Sequence, residues 1–160
     1  MTPSLPVQDR NETVARALQT VLSRRLGHPS VAEVAEDPRR RLGAIGERYA
    51  EAHLTRSGYR VIERNFRTRA GELDLIVRGW GCLVFCEVRA RVAAPASGPG
   101  GPLESIGPAK RLRLRRMARE WLAAGRANGG SAAELRFDAI GVTLTSDGRL
   151  VTLEHIEDAF

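Results

Sequence analysis

The chain has 160 residues, 42% of them apolar, enough to close one core of ordinary domain size. No apolar run approaches the roughly eighteen residues a membrane span needs, so a spanning helix is excluded. The first residues, MTPSLPVQDRNE, lack the basic-then-apolar order of a secretory signal, and the expected compartment is the cytoplasm. The formal net charge of +6 favours a polyanionic partner, nucleic acid being the commonest.

Residues 1–40 read as an N-terminal extension and 41–160 as the domain proper. Asn11 caps a predicted helix that reaches Arg25 or Leu26 and stops at Gly27. Its stripe of Val14, Leu18, Val21 and Leu22 suits either a docking helix or a loosely attached arm. A further turn of helix is expected at Ser30 to Ala35, ended by Asp37-Pro38. The next helix runs from about Arg41 to Ser57. Leu42, Ile45, Tyr49, Ala50 and Leu54 form its buried stripe, Gly58 caps it, and Glu47 lies beside the stripe. Tyr59 to Arg64 is a short strand, and Asn65 to Ala70 a turn. Gly71 to Arg91 is a hairpin: one apolar run, Leu73 to Val77, a Gly79-Trp80-Gly81 break, and a second run, Leu83 to Val88.

The stretch VAAPASGPGGPLESIGP reads as a long mobile loop. A helix starts near Pro108, with Leu114, Met117, Ala118, Trp121 and Leu122 on its apolar face, and ends near Gly125. Asn128 to Ala132 is a loop, Leu135 to Leu144 a strand, Ser146-Asp147-Gly148 a turn, and Leu150 to His155 a last strand. The order α-β-β-β-α-β-β defines an α/β fold, a mixed sheet between helices.

Each run of the hairpin carries a carboxylate where a buried strand should exclude one: Asp74 in the first and Glu87 in the second. Alternation puts Phe85, Glu87, Arg89 and Arg91 on one face, and Glu72, Asp74 and Ile76 on one face of the other strand. In simple register Asp74 and Glu87 lie near each other, and two close carboxylates repel unless a cation sits between them. Mg²⁺ suits such a site, since it takes one or two carboxylates, keeps several waters and binds phosphates; Mn²⁺ is the alternative ion. Taken singly, each residue has a plainer reading: Asp74 as a turn cap or arginine partner, Glu87 as a sheet-edge ion pair, and Glu47 as a solvated helix residue. Cys82 and Cys86 share a strand face about 13 Å apart, too far to bridge, and read as buried free thiols. His28, His53 and His155 have no metal-ligand spacing and none is assigned to catalysis. Trp80 sits at the hairpin tip, suited to local packing, a partner contact or stacking on a base.

The segments LGAIGERYAEAHLTRSGYRVIERNFR, GELDLIV, LVFCEVRAR, PAKRLRLRRMAREWL, RFDAIGV and HIEDAF, from Leu42 to Phe160, resemble the YraN-like (UPF0102) family in the right order over about three quarters of the chain. The resemblance implies a restriction-endonuclease-like fold similar to that of archaeal Holliday junction resolvases, and with it DNA as partner and two-fold assembly. It makes Glu47 the helix glutamate and Asp74 and Glu87 the metal-binding carboxylates of PD-(D/E)xK nucleases. Arg89 stands where the family has a lysine. Arginine stays charged and presents a planar fork, so it stabilises phosphate charge but is a poor base.

Lys110, the sole lysine, lies four residues before Leu114, in register with the buried face of its helix. It suits either supplying the ammonium missing at position 89 or simply snorkelling past the helix start. Arg111, Arg113, Arg115, Arg116 and Arg119 share this helix with one acid, Glu120. Arg111, Arg115 and Arg119, with Arg91, form the expected phosphate-backbone contacts. Arg136 and Asp138 read as a structural ion pair. The expected function is metal-dependent endonucleolytic hydrolysis of DNA, branched DNA included. The alternative is a degenerate nuclease fold serving as a DNA-binding or adaptor module.

Overall fold

The computed structural model describes residues 37–93, 106–126 and 134–160. The elements expected within 1–36, most of the Gly/Pro-rich loop and the Asn128 to Ala132 loop lie outside the described residues.

Helix α1 spans Pro38–Arg56. It starts ahead of the expected Arg41. The Asp37 side chain accepts the Arg39 N–H at 3.0 Å, and Pro38 takes a first-turn position, where its missing N–H costs no bond. Gly58 (φ +91°) follows the last helical turn. Of the predicted stripe, Tyr49, Ala50 and Leu54 are buried, and Leu42 and Ile45 pack partly against the same core.

Strand β1 spans Arg60–Thr68, β2 Gly71–Gly79 and β3 Cys82–Val92. β1 runs through the turn expected at Asn65 to Ala70. Pairing from Arg60↔Arg78 to Thr68↔Gly71 holds it extended, and Asn65 takes φ +51° within the strand. The β2–β3 turn has positive φ at both Trp80 (53°) and Gly81 (78°), the two-residue geometry that matches strand twist. Trp80 is 77% exposed, but its indole N–H donates to the Ser57 carbonyl at 3.0 Å and its ring lies over Gly58, so it packs locally.

Helix α2 spans Pro108–Ala123, β4 Glu134–Leu144 and β5 Leu150–Ile156. The sheet order is β1-β2-β3-β4-β5. β3 and β4 run parallel, joined by the crossover that contains α2, and the other neighbours are antiparallel. The expected α-β-β-β-α-β-β order is therefore the observed one.

The helices cover opposite faces of the sheet. Tyr49, Ala50 and Leu54 of α1 pack on Leu75, Val77, Val84, Cys86, Ile140 and Val142. Leu114, Met117, Ala118 and Trp121 of α2 pack on Leu73, Ile76, Leu83 and Phe85. Both cysteines are buried and free. α1 approaches β3 closely at Gly46, where an added Cβ would fall 2.5 Å from Ala90 Cβ. No helix among the described residues is long and apolar enough to cross a membrane.

Candidate active site

Leu73 shares the α2-side core with Ile76, whereas Leu75 and Val77 face α1. Strict alternation therefore breaks between Leu73 and Leu75. The β2–β3 ladder ends at Leu75↔Cys86. One step further, the Asp74 carboxylate takes the place of a backbone acceptor: Val88 N–H donates to Asp74 Oδ2 at 2.7 Å. This brings the Asp74 side chain to the strand that carries Glu87.

Glu87 lies on the α2 face and is only 3% exposed. Its Oε1 meets two cations, Lys110 Nζ at 2.8 Å and Arg89 Nε at 3.3 Å. The Arg89 contact has ion-pair distance without hydrogen-bond geometry. Glu87 Oε2 is buried and accepts no hydrogen bond. An unmatched buried carboxylate oxygen is costly, and a positive group placed against it would offset that cost.

The electrostatics follow from this crowding. Burial first, and then the nearby Glu87 charge, pushes the Asp74 carboxyl up to about 7, against the Val88 N–H, which pulls it down. Glu47 is also raised, chiefly by burial, with Glu72 and Glu87 adding to the effect and a hydrogen bond from the Asn65 side chain opposing it. Glu47, Asp74 and Glu87 thus sense one another, while Lys110 and Arg89 stand on one side of Glu87.

These residues suit a small hard cation. Asp74 and Glu87 Oε2 offer two carboxylates, the number Mg²⁺ accepts while keeping several waters. Among the described residues no three His, Cys, Asp or Glu side chains are grouped as a metal-ligand set, so Glu47 does not complete a third ligand.

The expected phosphate contacts divide. Arg91 Nε donates to Thr143 Oγ1 at 3.5 Å, on the strand that carries Glu87. Arg111 Nε donates to the Ile106 carbonyl, and its guanidinium lies 5.9 Å from the Phe160 ring centre. Arg115 lies over Phe137 at 5.5 Å, and Arg119 donates to the Arg115 carbonyl. Arg111, Arg115 and Arg119 therefore form an exposed flank on α2. Sequence reasoning missed one neighbour of the site. Asn65 bonds Glu47, and its positive φ, which asparagine tolerates well, was the available signal. Arg113, read from sequence as part of the basic helix, lies against Gly71 at the start of β2.

A second polar cluster lies on the α1 side. Arg136 holds both Asp138 oxygens at 2.9 Å, as the expected ion pair, and also bonds Glu157 and Tyr59. His155 Nε2 is 2.8 Å from Asp138 Oδ2, and His53 Nε2 is 3.2 Å from His155 Nδ1. Burial works against the Asp138 charge, but bonds from His155, Arg136 and the Asp158 N–H bring its carboxyl below the ordinary value. Burial, then His155 and Arg56, pushes His53 down to about 4. His53 and His155, which looked scattered, thus meet directly, and His155 ties them to Asp138 in a structural network.

Fold and site together define a mixed α/β protein with a paired-carboxylate centre beside a basic helix. The model of the uncharacterised protein family UPF0102 matches residues 46–142. A UPF0102 protein of Kineococcus radiotolerans is 41% identical over 115 residues, covering 72% of this chain and 89% of its own length. Relatives from Anaeromyxobacter dehalogenans and Moorella thermoacetica, also UPF0102 proteins, are each 43% identical, over 124 and 122 residues. They cover 78% and 76% of this chain, and 87% and 97% of their own lengths. The chain belongs to the UPF0102 family.

Proposed function

We propose that this protein is a divalent-metal-dependent endonuclease that hydrolyses DNA phosphodiesters, with branched DNA as the substrate class the resolvase likeness suggests. The observation that carries this reading is the unmatched Glu87 Oε2 together with the electrostatic coupling of Glu87 to Asp74. Asp74 and Glu87 would hold Mg²⁺ or Mn²⁺, whose chemistry when bound is to polarise a phosphodiester and acidify a coordinated water. Glu47, half-buried and with a raised carboxyl, supports the pair and is a proton acceptor within the same electrostatic neighbourhood. Arg89 and Lys110 supply positive charge to the phosphate. Arg91 and the flank of Arg111, Arg115 and Arg119 contact the backbone without reading sequence. Assembly as a homodimer belongs to the same proposal.

A specific observation favours a second reading, a DNA-binding or adaptor module: the strand cation is Arg89, a poor base. One assay separates the two. Purified protein is incubated with linear and branched DNA, with and without Mg²⁺ or Mn²⁺, alongside Asp74→Ala and Glu87→Ala. Metal-dependent cleavage lost in both variants supports the nuclease. Salt-sensitive binding without any cleavage by the wild type supports the adaptor. Light scattering of the same samples reports the oligomeric state.

A further inference from the structure

We propose that Lys110 is a resident counter-cation that shares Glu87 with the metal ion, one on each carboxylate oxygen, and thereby sets the ion concentration at which the site fills. This rests on the metal-dependent reading above. The argument begins with the asymmetry of Glu87. Two cations crowd Oε1, Lys110 Nζ at 2.8 Å and Arg89 Nε at 3.3 Å, while the buried Oε2 has no hydrogen-bond partner. A carboxylate has acceptor capacity on both oxygens. Here one oxygen is left for something else.

The position of Lys110 adds a second reason. It lies in the first turn of α2, where the helix dipole already disfavours a cation. That turn contains no acid, and the N-cap, Gly107, offers no side-chain bond. The compensation for the Lys110 charge comes across the fold from Glu87. The ammonium is half-buried, 27% exposed, so solvent screens it only in part.

A divalent ion on Oε2 and Asp74 must then sit close to this ammonium. The two positive charges repel, and Glu87 divides its charge between them. Lys110 therefore weakens ion binding, while in the ion-free protein it offsets the repulsion between Glu87 and Asp74. The site fills only when the ion is plentiful enough to overcome the ammonium.

The test is isothermal titration of the full chain with MgCl₂, cross-checked by the rise in Tm with added Mg²⁺. Wild type is compared with Lys110→Met, Lys110→Gln and the control Arg116→Met, which removes the same charge from an exposed α2 position paired with Glu120. The expected result is Mg²⁺ binding about ten-fold tighter in both Lys110 variants and within about two-fold of wild type in the control. Binding by the Lys110 variants alone, with none by wild type, supports the proposal equally. If wild type binds Mg²⁺ and the Lys110 variants bind it no tighter, the sharing of Glu87 is overturned and the metal-dependent reading stands. Equal tightening in Arg116→Met overturns it as well, because the effect is then one of net charge. Absence of binding in every protein overturns the metal reading and this inference with it.

Discussion

The close approach of α1 to β3 at Gly46 offers a sharp test of how Glu47 is held. An alanine at position 46 would put its Cβ 2.5 Å from Ala90 Cβ and 3.6 Å from Ala90 Cα. Carbon pairs settle at about 3.5–4.0 Å, so α1 must lift from β3 by about 1 Å or Ala90 must move with its strand. Such overpacking costs about 1–3 kcal/mol. Alanine in place of glycine inside a helix returns about 1 kcal/mol, so Gly46→Ala should lie between neutral and about 2 kcal/mol destabilised. The pair Gly46→Ala and Ala90→Gly isolates the contact. With the Ala90 Cβ gone, the nearest neighbours are Ala90 Cα at 3.6 Å and Val142 Cβ at 3.8 Å, ordinary distances. A double-mutant cycle in urea should therefore give a favourable coupling of about 1–3 kcal/mol. Zero coupling, or a Gly46→Ala variant stabilised by the full propensity gain, would refute the claim that this contact seats the helix. Glu47 follows Gly46 directly, so Mg²⁺ binding or cleavage should weaken in the single variant and recover in the double.

Other residues give further tests. Asp74 is raised from the ordinary 3.8 to about 7, so the folded chain keeps this proton while the unfolded chain loses it. Stability of the ion-free protein should fall as pH rises through that window and level off above it. Asp74→Asn should be the more stable at about pH 8, with the margin gone near pH 4, as read by thermal melts. Mg²⁺ should raise the Tm of wild type and leave that of Asp74→Asn unmoved. Asp138→Ala removes the partner of buried Arg136 and His155 and should cost about 3–5 kcal/mol in chemical denaturation, with no specific loss of Mg²⁺ binding. Gly81→Ala meets open space, but φ is +78° there; it should cost about 1–2 kcal/mol in the same assay through backbone strain alone.

Periodicity in the sequence was sufficient for the helices that start near residues 41 and 108, for the hairpin around Gly79-Trp80-Gly81 and for the order of elements. Each rests on a local repeat of apolar residues, and local repeats survive in the linear chain. The breach of that repeat by Asp74 and Glu87 was also visible, because a charge in an apolar run conflicts with burial whatever the fold. β1 was read too short because its extension past Asn65 depends on pairing with β2, a partner and not a propensity. The Asp37 cap was missed because Asp-Pro reads equally as an end or a start until the chain around it is placed.

The tertiary structure alone decided which charges meet. The sequence put Lys110 on a buried helix face; only the crossover from β3 to β4 brings it to one oxygen of Glu87 and leaves the other bare. His53 and His155 are 102 residues apart and meet only because α1 packs on the sheet, where His155 also bonds Asp138. Arg111 and Arg115, alike on a helical wheel, sit over Phe160 and Phe137 on the flank. Helix and strand periods follow from bonds between near neighbours, whereas electrostatic partners are chosen by distance in space, which a linear pattern does not contain.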